Sequence, residues 1–285
     1  MKRGLKTAIH TVAAVTLVVG LFVSSVCAFL MDVTGSKYPE ASGATVYEGS
    51  GVSIDASNAS EGYLMVKATS KKKLKLRLVK GSATYTYDLR QGDYETFPLQ
   101  SGGGTYQVLV FQQVKGSQYA QLYSKKIKAE ISDEFGYTLY PNQYVHYDAS
   151  SAAVLKSQEV CGALTSDADK VKAVIDYVAG AVLYDHIKAK TVESGYLPDV
   201  DDTLSSKKGI CFDYAALVAC MLRVQGIRCK LVIGYADAYY HAWNEVYLDG
   251  EWITVDPTRD ATLRASGLSY DLQKEDTDYT IVYEY

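Results

Sequence analysis

The chain has 285 residues, of which 48% are hydrophobic and 22% are charged, and its net charge at pH 7 is −4. This length fits two domains after a targeting segment, and the composition supports a hydrophobic core rather than disorder. The acidic balance makes nucleic acid a poor candidate for a partner. Tyrosine is over-represented, with 25 Tyr against 6 Phe and 2 Trp, which favours β structure and an exposed binding face.

The first 28 residues have the three parts of a secretory signal peptide. Lys2, Arg3 and Lys6 form a basic head, residues 11–26 form an apolar run, and small residues precede an expected cleavage site after Ala28. We therefore expect a secreted or cell-surface protein. Cleavage removes three positive charges and no negative ones, so the net charge would change from −4 to −7.

Two alternatives to cleavage stay open. The apolar run approaches the length that spans a bilayer, so an uncleaved segment could act as a membrane anchor. Cys27 could also carry a lipid, although Ser24–Val26 is a poor lipoprotein lead-in.

The region after the signal segment predicts β structure. Residues 29–60 are rich in Ser, Gly and Ala and predict a linker or tether that includes at most one strand. Residues 61–135 predict an antiparallel β-sandwich because β-prone runs alternate closely with turn residues. The expected strands are Tyr63–Ala68, Lys73–Val79, Thr84–Leu89, Tyr106–Gln112 and Gln121–Ile127. Leu74, Leu76 and Leu78 alternate with basic residues and predict a buried face. The basic face is either a solvated surface that blocks edge pairing or a contact with an anionic cell-wall polymer.

Residues 140–285 predict a second domain of the α+β class. Ser166–Asp169 resembles a capping box. It precedes apolar residues at the spacing of an amphipathic helix, namely Val171, Val174, Ile175 and Val178. Residues 188–209 form a polar loop whose aspartates lack the glycine and glutamate of an EF-hand, so calcium is a weak expectation. Since the chemistry described below lies beyond Tyr140, we expect this domain to fold alone.

Four cysteines follow the signal segment. An even number in an exported chain ordinarily suggests disulfides. Cys161, Cys220 and Cys229, however, lie in apolar runs, which predicts small buried side chains. The sequence contains no Cys-x-x-Cys pair, so we expect no zinc site, and nothing else in it indicates a cofactor.

Cys211 has a different setting from the other three cysteines. Gly209 precedes it, and residues 212–225 are apolar on nearly all sides up to the stop signal Gly226, which predicts a buried central helix. At a helix N-terminus, backbone N–H groups and the helix dipole stabilise a thiolate, and a thiolate is the form that attacks an acyl carbon. Taken alone, one cysteine near a helix start is more often a buried structural residue.

A β-hairpin is predicted after this helix. Its strands are His241–Leu248 and Glu251–Thr258, and they are joined by Asp249-Gly250, the strongest short-range hairpin signal. With these two residues as the turn, His241 and Asp256 become diagonal neighbours on one face. A slip of one residue would place them on opposite faces. Each residue alone is more often structural, since lone histidines occur on strands and aspartate before proline often ends one.

Four motifs occur in the order Gly-x-Cys-x-Asp-Tyr-Ala, Leu-Arg-x-x-Gly-Ile, His-Ala-Trp-Asn-Glu-Val and Asp-Pro-Thr. Together they resemble the signature of bacterial transglutaminase-like proteins over roughly residues 170–285. The resemblance implies a papain-like α+β domain, with a central buried helix packed on an antiparallel sheet, and a catalytic triad of Cys211, His241 and Asp256. It further implies that the cysteine forms a thioester with an acyl donor such as a glutamine amide or a peptide carbonyl. The histidine would act as general base and acid, and the aspartate would orient it.

The resemblance leaves the oxyanion hole incomplete. The backbone N–H of Cys211 is an expected donor. Tyr184 is a candidate for the second donor, because relatives often carry a tyrosine in a similar place.

We expect a secreted or cell-surface cysteine enzyme that catalyses acyl transfer or hydrolysis of amides and peptides. Its substrates would be proteins or peptides, cell-wall-associated ones included, and it would meet a membrane only through an uncleaved signal segment. The alternative is a catalytically inactive transglutaminase-like domain that serves as an extracellular binding or scaffold protein. Degenerate members would lack the cysteine or the histidine, and both are present here. Residues 61–135 could form a carbohydrate- or wall-binding module.

Overall fold

The computed structural model describes residues 35–285, so the predicted signal segment at residues 1–28 lies outside the described residues. The described residues combine helices with three four-stranded antiparallel sheets and one small parallel sheet. The predicted α+β class, with a β-rich N-terminal region, is confirmed.

Eight strands form the β region. They are β1 (Val46–Gly49), β2 (Val52–Asp55), β3 (Tyr63–Ala68), β4 (Leu74–Lys80), β5 (Ala83–Leu89), β6 (Glu95–Pro98), β7 (Gly104–Lys115) and β8 (Gln118–Ala129). One sheet has the order β1-β2-β3-β6 and the other has the order β5-β4-β7-β8. The inner faces of both sheets contribute to one hydrophobic core. Leu74, Leu76 and Leu78 are buried in it, as their alternation predicts.

The segment expected to be a tether with at most one strand departs from that prediction, because residues 46–55 form the two-stranded hairpin β1–β2. Ser50 and Gly51 both have positive φ, at 53° and 75°, as a two-residue hairpin turn requires. All four residues of β2 are buried, so this short strand lacks the alternation that identifies a half-buried strand in a sequence. Strand β6 escapes prediction for the same reason, since three of its four residues are buried.

The second half of the chain contains six more strands and six α-helices. The strands are β9 (Leu183–Tyr184), β10 (Lys208–Gly209), β11 (Cys229–Ala236), β12 (Tyr239–Leu248), β13 (Glu251–Val255) and β14 (Tyr279–Glu284). The helices are α1 (Ala152–Cys161), α2 (Asp167–Ala181), α3 (Lys188–Thr191), α4 (Val200–Ser206), α5 (Cys211–Val224) and α6 (Pro257–Ala265). Within residues 35–285, none of the helices combines the length and the apolar character needed to cross a bilayer.

The two helices predicted from the sequence form as expected. Ser166 is the N-cap of α2, where its hydroxyl accepts a hydrogen bond from the backbone N–H of Asp169 at 3.1 Å. The four apolar residues of the predicted helix face are all buried. Helix α5 is the central helix, since residues 213–224 are buried without exception. It packs against β11 and β12 on one side and against α1, α2 and α4 on others.

The predicted register of the β12–β13 hairpin is confirmed. Leu248 pairs with Glu251, and the ladder continues to the pair Asn244 and Val255. The turn residues Asp249 and Gly250 have positive φ, at 53° and 94°. The ladder ends there because the next residue of the second strand is the N-cap of α6, followed by a proline at the start of that helix.

The β region and the second half of the chain share buried contacts. The ring of Tyr87 in β5 lies 5.8 Å from that of Tyr144 and 6.0 Å from that of Tyr285. The Gln100 side chain donates a hydrogen bond to the Glu284 carbonyl at 3.2 Å. Residues 37–285 form one compact unit. Because these contacts belong to one core, the structure argues against independent folding of residues 140–285.

Candidate active site

The position of Cys211 is set by the start of helix α5. Cys211 is the first residue of that helix and is half-buried. A residue at this position has a backbone N–H without an acceptor in its own helix. The Asp213 carboxylate accepts a hydrogen bond from the Ile210 N–H at 2.8 Å, which fixes the turn that leads into the helix. The thiol therefore lies at the positive end of the helix dipole.

Asp213 is a supporting residue to which sequence reasoning assigned no role, although it belongs to the first motif. Its side chain is fully buried and lies 2.8 Å from Lys188 Nζ, and it accepts a hydrogen bond from the Tyr196 hydroxyl at 2.5 Å. A Cβ atom on Gly209 would come within 2.7 Å of the Asp213 Cβ, so this close approach requires the glycine. The network ties the polar segment before α5 to the start of that helix.

The structure brings His241 and Asp256 into direct contact. His241 Nε2 lies 2.9 Å from Asp256 Oδ2. The other oxygen, Oδ1, accepts hydrogen bonds from the backbone N–H groups of Thr258 and Arg259 at 3.1 and 3.0 Å, because Asp256 is the N-cap of α6. The buried carboxylate thus accepts two hydrogen bonds from backbone N–H groups in addition to its contact with His241. Burial opposes its ionisation, yet the hydrogen bonds and the neighbouring imidazole hold the pKa of Asp256 below its ordinary value.

His241 connects the carboxylate to the thiol. Burial disfavours the charged imidazole, but hydrogen bonds and charge interactions with Asp256 and Cys211 outweigh it and raise the pKa of His241 to about 10. Since Nε2 is engaged by Asp256, Nδ1 is the ring nitrogen available to the thiol. The structure therefore brings together all three residues that the resemblance implied, in the order Cys211, His241, Asp256.

Tyr279 is a fourth member of this cluster that sequence reasoning missed. Its hydroxyl donates a hydrogen bond to Asp256 Oδ2 at 3.0 Å, the same oxygen that His241 contacts. Its ring lies 5.0 Å from that of Trp243, which in turn stacks on the His241 ring at 6.3 Å with an interplanar angle of 19°. No local signal could have identified it, because it is one tyrosine among 25 and lies 23 positions after the aspartate.

Tyr184 reaches the site through the small parallel sheet. It pairs with Gly209, two residues before Cys211. Tyr184, Cys211 and His241 line a common cleft with a volume of about 430 Å³. Burial raises the pKa of Tyr184, and the nearby Cys211 and Asp213 raise it further, so its hydroxyl remains protonated and able to donate a hydrogen bond.

The other cysteines are remote from this chemistry. Cys161, Cys220 and Cys229 are unpaired and almost fully buried, which confirms the prediction that they are small buried side chains. Burial raises the pKa of each of the three thiols. A neutral buried thiol is a poor nucleophile.

The aspartates of the polar segment cap helices. Asp199 accepts hydrogen bonds from the backbone N–H groups of Asp201 and Asp202 at the start of α4. Asp201 accepts from the N–H groups of Ala152 and Ala153 at the start of α1, at 3.1 and 2.9 Å. In the part of the chain that the structure describes, no group of three or more His, Cys, Asp or Glu side chains could hold a metal ion.

The candidate site lies within a segment that matches known proteins. A family model described as the transglutaminase-like superfamily matches residues 155–257, which include Cys211, His241 and Asp256. The kyphoscoliosis peptidase of Mus musculus is 32% identical over 105 residues, covering 33% of this chain and 16% of that protein. The chain thus matches about a sixth of the length of this relative.

Two solved structures extend the comparison. The periplasmic domain of TgpA from Pseudomonas aeruginosa has 16% identity and a TM-score of 0.36, with 69% of this chain and 91% of that one covered. Red sea bream transglutaminase has 14% identity and a TM-score of 0.31, with 69% and 48% covered.

Proposed function

We propose that this chain, whose residues 155–257 form a transglutaminase-like domain, is a cysteine enzyme that transfers or hydrolyses acyl groups of proteins or peptides. The observation that carries this proposal is the series of interactions from Cys211, at the start of α5, through His241 to Asp256. Cys211 interacts with His241 there, and a buried carboxylate holds His241 at 2.9 Å. This arrangement contains a nucleophile, a proton carrier and a group that orients the proton carrier.

In the first step, the Cys211 thiolate attacks the carbonyl carbon of an amide in the substrate. A C–S bond forms and the amide C–N bond breaks, and the protonated His241 gives its proton to the departing nitrogen. The raised pKa of His241 fits this role, because it keeps the imidazole protonated beside the thiolate at neutral pH. Asp256 stabilises the imidazolium and fixes its orientation.

The negative charge that develops on the carbonyl oxygen needs hydrogen-bond donors. The backbone N–H of Cys211 is one, because the first residue of a helix has no acceptor within that helix. We assign the second to the Tyr184 hydroxyl, which lines the same cleft.

In the second step, an amine or a water molecule attacks the thioester. The neutral His241 accepts a proton from this nucleophile, the C–S bond breaks, and the thiolate is restored. An amine yields a new amide, whereas water yields a carboxylic acid. The same residues serve transfer and hydrolysis, so both reactions belong to the proposal.

We also propose that the enzyme acts outside the cytoplasm. The support is the sequence pattern of residues 1–28, in which a basic head, an apolar run and small residues follow one another.

The test uses a glutamine-containing peptide as acyl donor and intact-protein mass spectrometry, with and without a primary amine. We expect an adduct at Cys211 that the amine removes as a new amide, or that water removes as an acid. Cys211→Ala should abolish the adduct, and the matched variant Cys220→Ala should retain it. If no donor modifies the wild-type protein, the domain acts as a binding or scaffold protein and the proposal fails.

A further inference from the structure

A group of exposed tyrosines continues the cleft beyond the thiol. Tyr240 is 63% exposed and lines the cleft with Cys211, while Tyr235 and Tyr283 are 46% and 40% exposed. Large apolar rings that remain exposed near each other often mark an interaction surface.

Strand pairing places these rings on one face. Tyr235 pairs directly with Tyr240, and Ile233 pairs with Ala242 on one side and with Tyr283 on the other. Directly paired residues point their side chains to the same face of a sheet, and alternate residues of a strand share a face. Ile233, Tyr240 and Ala242 all line the cleft. The three tyrosines therefore form one surface with the cleft wall.

The β region supplies the far side of this surface. The Tyr283 ring lies 6.3 Å from the ring of Tyr85 in β5. On the near side, the Phe212 ring lies 5.7 Å from that of Tyr144, which lies 4.2 Å from that of Tyr285. Aromatic side chains thus extend from the residue after Cys211 to the β region, and we call Tyr235, Tyr240, Tyr283 and Tyr85 the tyrosine surface.

The cleft itself is poor in charge. Among the residues that the structure describes, Glu193 is the one acidic or basic side chain that lines it apart from Cys211 and His241. The remainder of its wall is aromatic, aliphatic or small, and includes Val192, Ile210 and Phe212. Such a wall favours substrate side chains that gain by leaving water, whereas a charged side chain would lose its hydration without a partner.

We propose, on the basis of the proposed function, that the acyl donor is an extended polypeptide with aromatic or large aliphatic residues beside the reacting carbonyl, and that these residues pack on the tyrosine surface. An extended chain advances about 3.3–3.6 Å per residue. Tyr240 borders the same cleft as the thiol, so a side chain one or two positions from the reacting carbonyl lies in or beside the cleft that Tyr240 borders. Because Tyr240 and the thiol line one cleft, a residue that packs on Tyr240 belongs to the molecule that carries the acyl group, which favours a polypeptide over a separate saccharide.

The test compares glutamine peptides of equal length that carry Phe or Leu, or Ser or Asp, at the two positions that flank the glutamine. We expect kcat/KM to be at least about tenfold higher for the apolar peptides. Tyr240→Ser should reduce that preference to less than about threefold, and Tyr283→Ser should reduce it partly. Tyr239→Ser is the matched control, because Tyr239 is 78% exposed but does not line the cleft. It should retain the full preference.

Three outcomes would overturn this inference. Equal kcat/KM for all peptides, with a normal adduct at Cys211, contradicts the inference and leaves the proposed function standing. Competition by a soluble N-acetylglucosamine oligomer that Tyr240→Ser abolishes identifies a saccharide as the occupant and contradicts a polypeptide. Absence of an adduct with every peptide contradicts the proposed function and removes the basis of the inference with it.

Discussion

The first residue of helix α5 and a residue in its C-terminal half are both cysteines, but their environments differ. Cys211 and Cys220 are nine positions apart, which puts them on opposite sides of the helix and about 14 Å apart along its axis. Cys211 is half-buried, lines a cleft and interacts with His241. Cys220 is fully buried, and burial raises the pKa of its thiol.

This difference shows that position in the helix, rather than residue type, determines the environment of each thiol. The N-terminal end of α5 has backbone N–H groups without an acceptor in the helix, and the His241 imidazole lies beside its first residue. Near the C-terminal end, Arg223 is fully buried and donates hydrogen bonds to the carbonyl groups of Tyr140, Cys229 and Tyr285. The N-terminal end therefore holds the proposed nucleophile, and the C-terminal end joins distant parts of the chain.

The largest expected effect on kcat is the contrast between two single variants, in which Cys211 or Cys220 is replaced by alanine. Cys211→Ala should lower kcat by a factor on the order of 10⁴ to 10⁶, because it removes the nucleophile. Cys220→Ala should leave kcat within about twofold and lower the free energy of unfolding by roughly 1 kcal/mol through a small cavity. Peptide turnover and urea unfolding of both variants measure this contrast. A strong loss of kcat in Cys220→Ala, without one in Cys211→Ala, would contradict the prediction that Cys211 is the nucleophile.

Asp256→Asn should lower kcat by about 10³- to 10⁴-fold, because His241 loses the charge that orients it and stabilises its protonated form. The helix cap should persist, since asparagine is also a good N-cap residue. The variant should therefore fold with nearly unchanged far-UV circular dichroism. A kcat equal to that of the wild type would show that the 2.9 Å contact has no part in turnover.

The same variant makes a pH prediction about the imidazole. The pKa of His241 in the folded protein is about 10, above its ordinary value of 6.5. A raised pKa adds stability that is complete below about pH 6.5 and is lost as the pH rises through about 10. In Asp256→Asn the pKa of His241 should move towards 6.5, so the protein should lose less stability as the pH rises through about 10. NMR titration of the His241 ring and urea unfolding at several pH values measure both effects, and an unshifted titration would contradict the assignment.

Arg223→Met tests the structural end of the helix. It removes the hydrogen bonds that the guanidinium donates to three buried carbonyl groups, of which that of Tyr285 keeps a second donor, the Leu231 N–H. The free energy of unfolding should therefore fall by about 3 kcal/mol. Alkylation of Cys211 in the folded variant should keep its rate. Arg77→Met is the control, because Arg77 is exposed on β4 and should change stability by no more than about 0.5 kcal/mol. Equal free energies of unfolding for the two variants would mean that the buried guanidinium of Arg223 does not stabilise the fold.

The smallest effect is expected from Tyr279→Phe, which removes one hydrogen bond to Asp256 and keeps the ring contact with Trp243. One such hydrogen bond contributes about 1 kcal/mol, so kcat should fall by roughly five- to tenfold. Tyr270→Phe removes a hydrogen bond to Asp176 at 2.6 Å, away from the site, and should leave kcat unchanged. If the two variants behave alike, Tyr279 does not position the carboxylate.

The features that could be predicted from the sequence are those with a local pattern. The strict alternation of Leu74, Leu76 and Leu78 identified a strand, and Asp249-Gly250 identified a turn and hence a register. That register places His241 and Asp256 on one face of the hairpin.

The features that escaped prediction depend on the tertiary structure. The hairpin β1–β2 is buried without alternation. Tyr279 can donate its hydrogen bond to Asp256 only because the pairing of β14 with β11 brings the two residues together. The contact of Tyr87 with Tyr285 likewise joins regions almost 200 positions apart. A linear pattern carries no information about such partners.

The central claim is that Cys211 alone among the described cysteines is an activated thiolate, and site-resolved alkylation tests it most directly. The folded protein is treated with iodoacetamide at pH 6, and modification of Cys161, Cys211, Cys220 and Cys229 is followed by peptide mass spectrometry. We predict that Cys211 reacts at least about tenfold faster than the other three, and that His241→Ala removes most of this advantage. Equal rates at all four cysteines, or a Cys211 rate that His241→Ala leaves unchanged, would contradict the account.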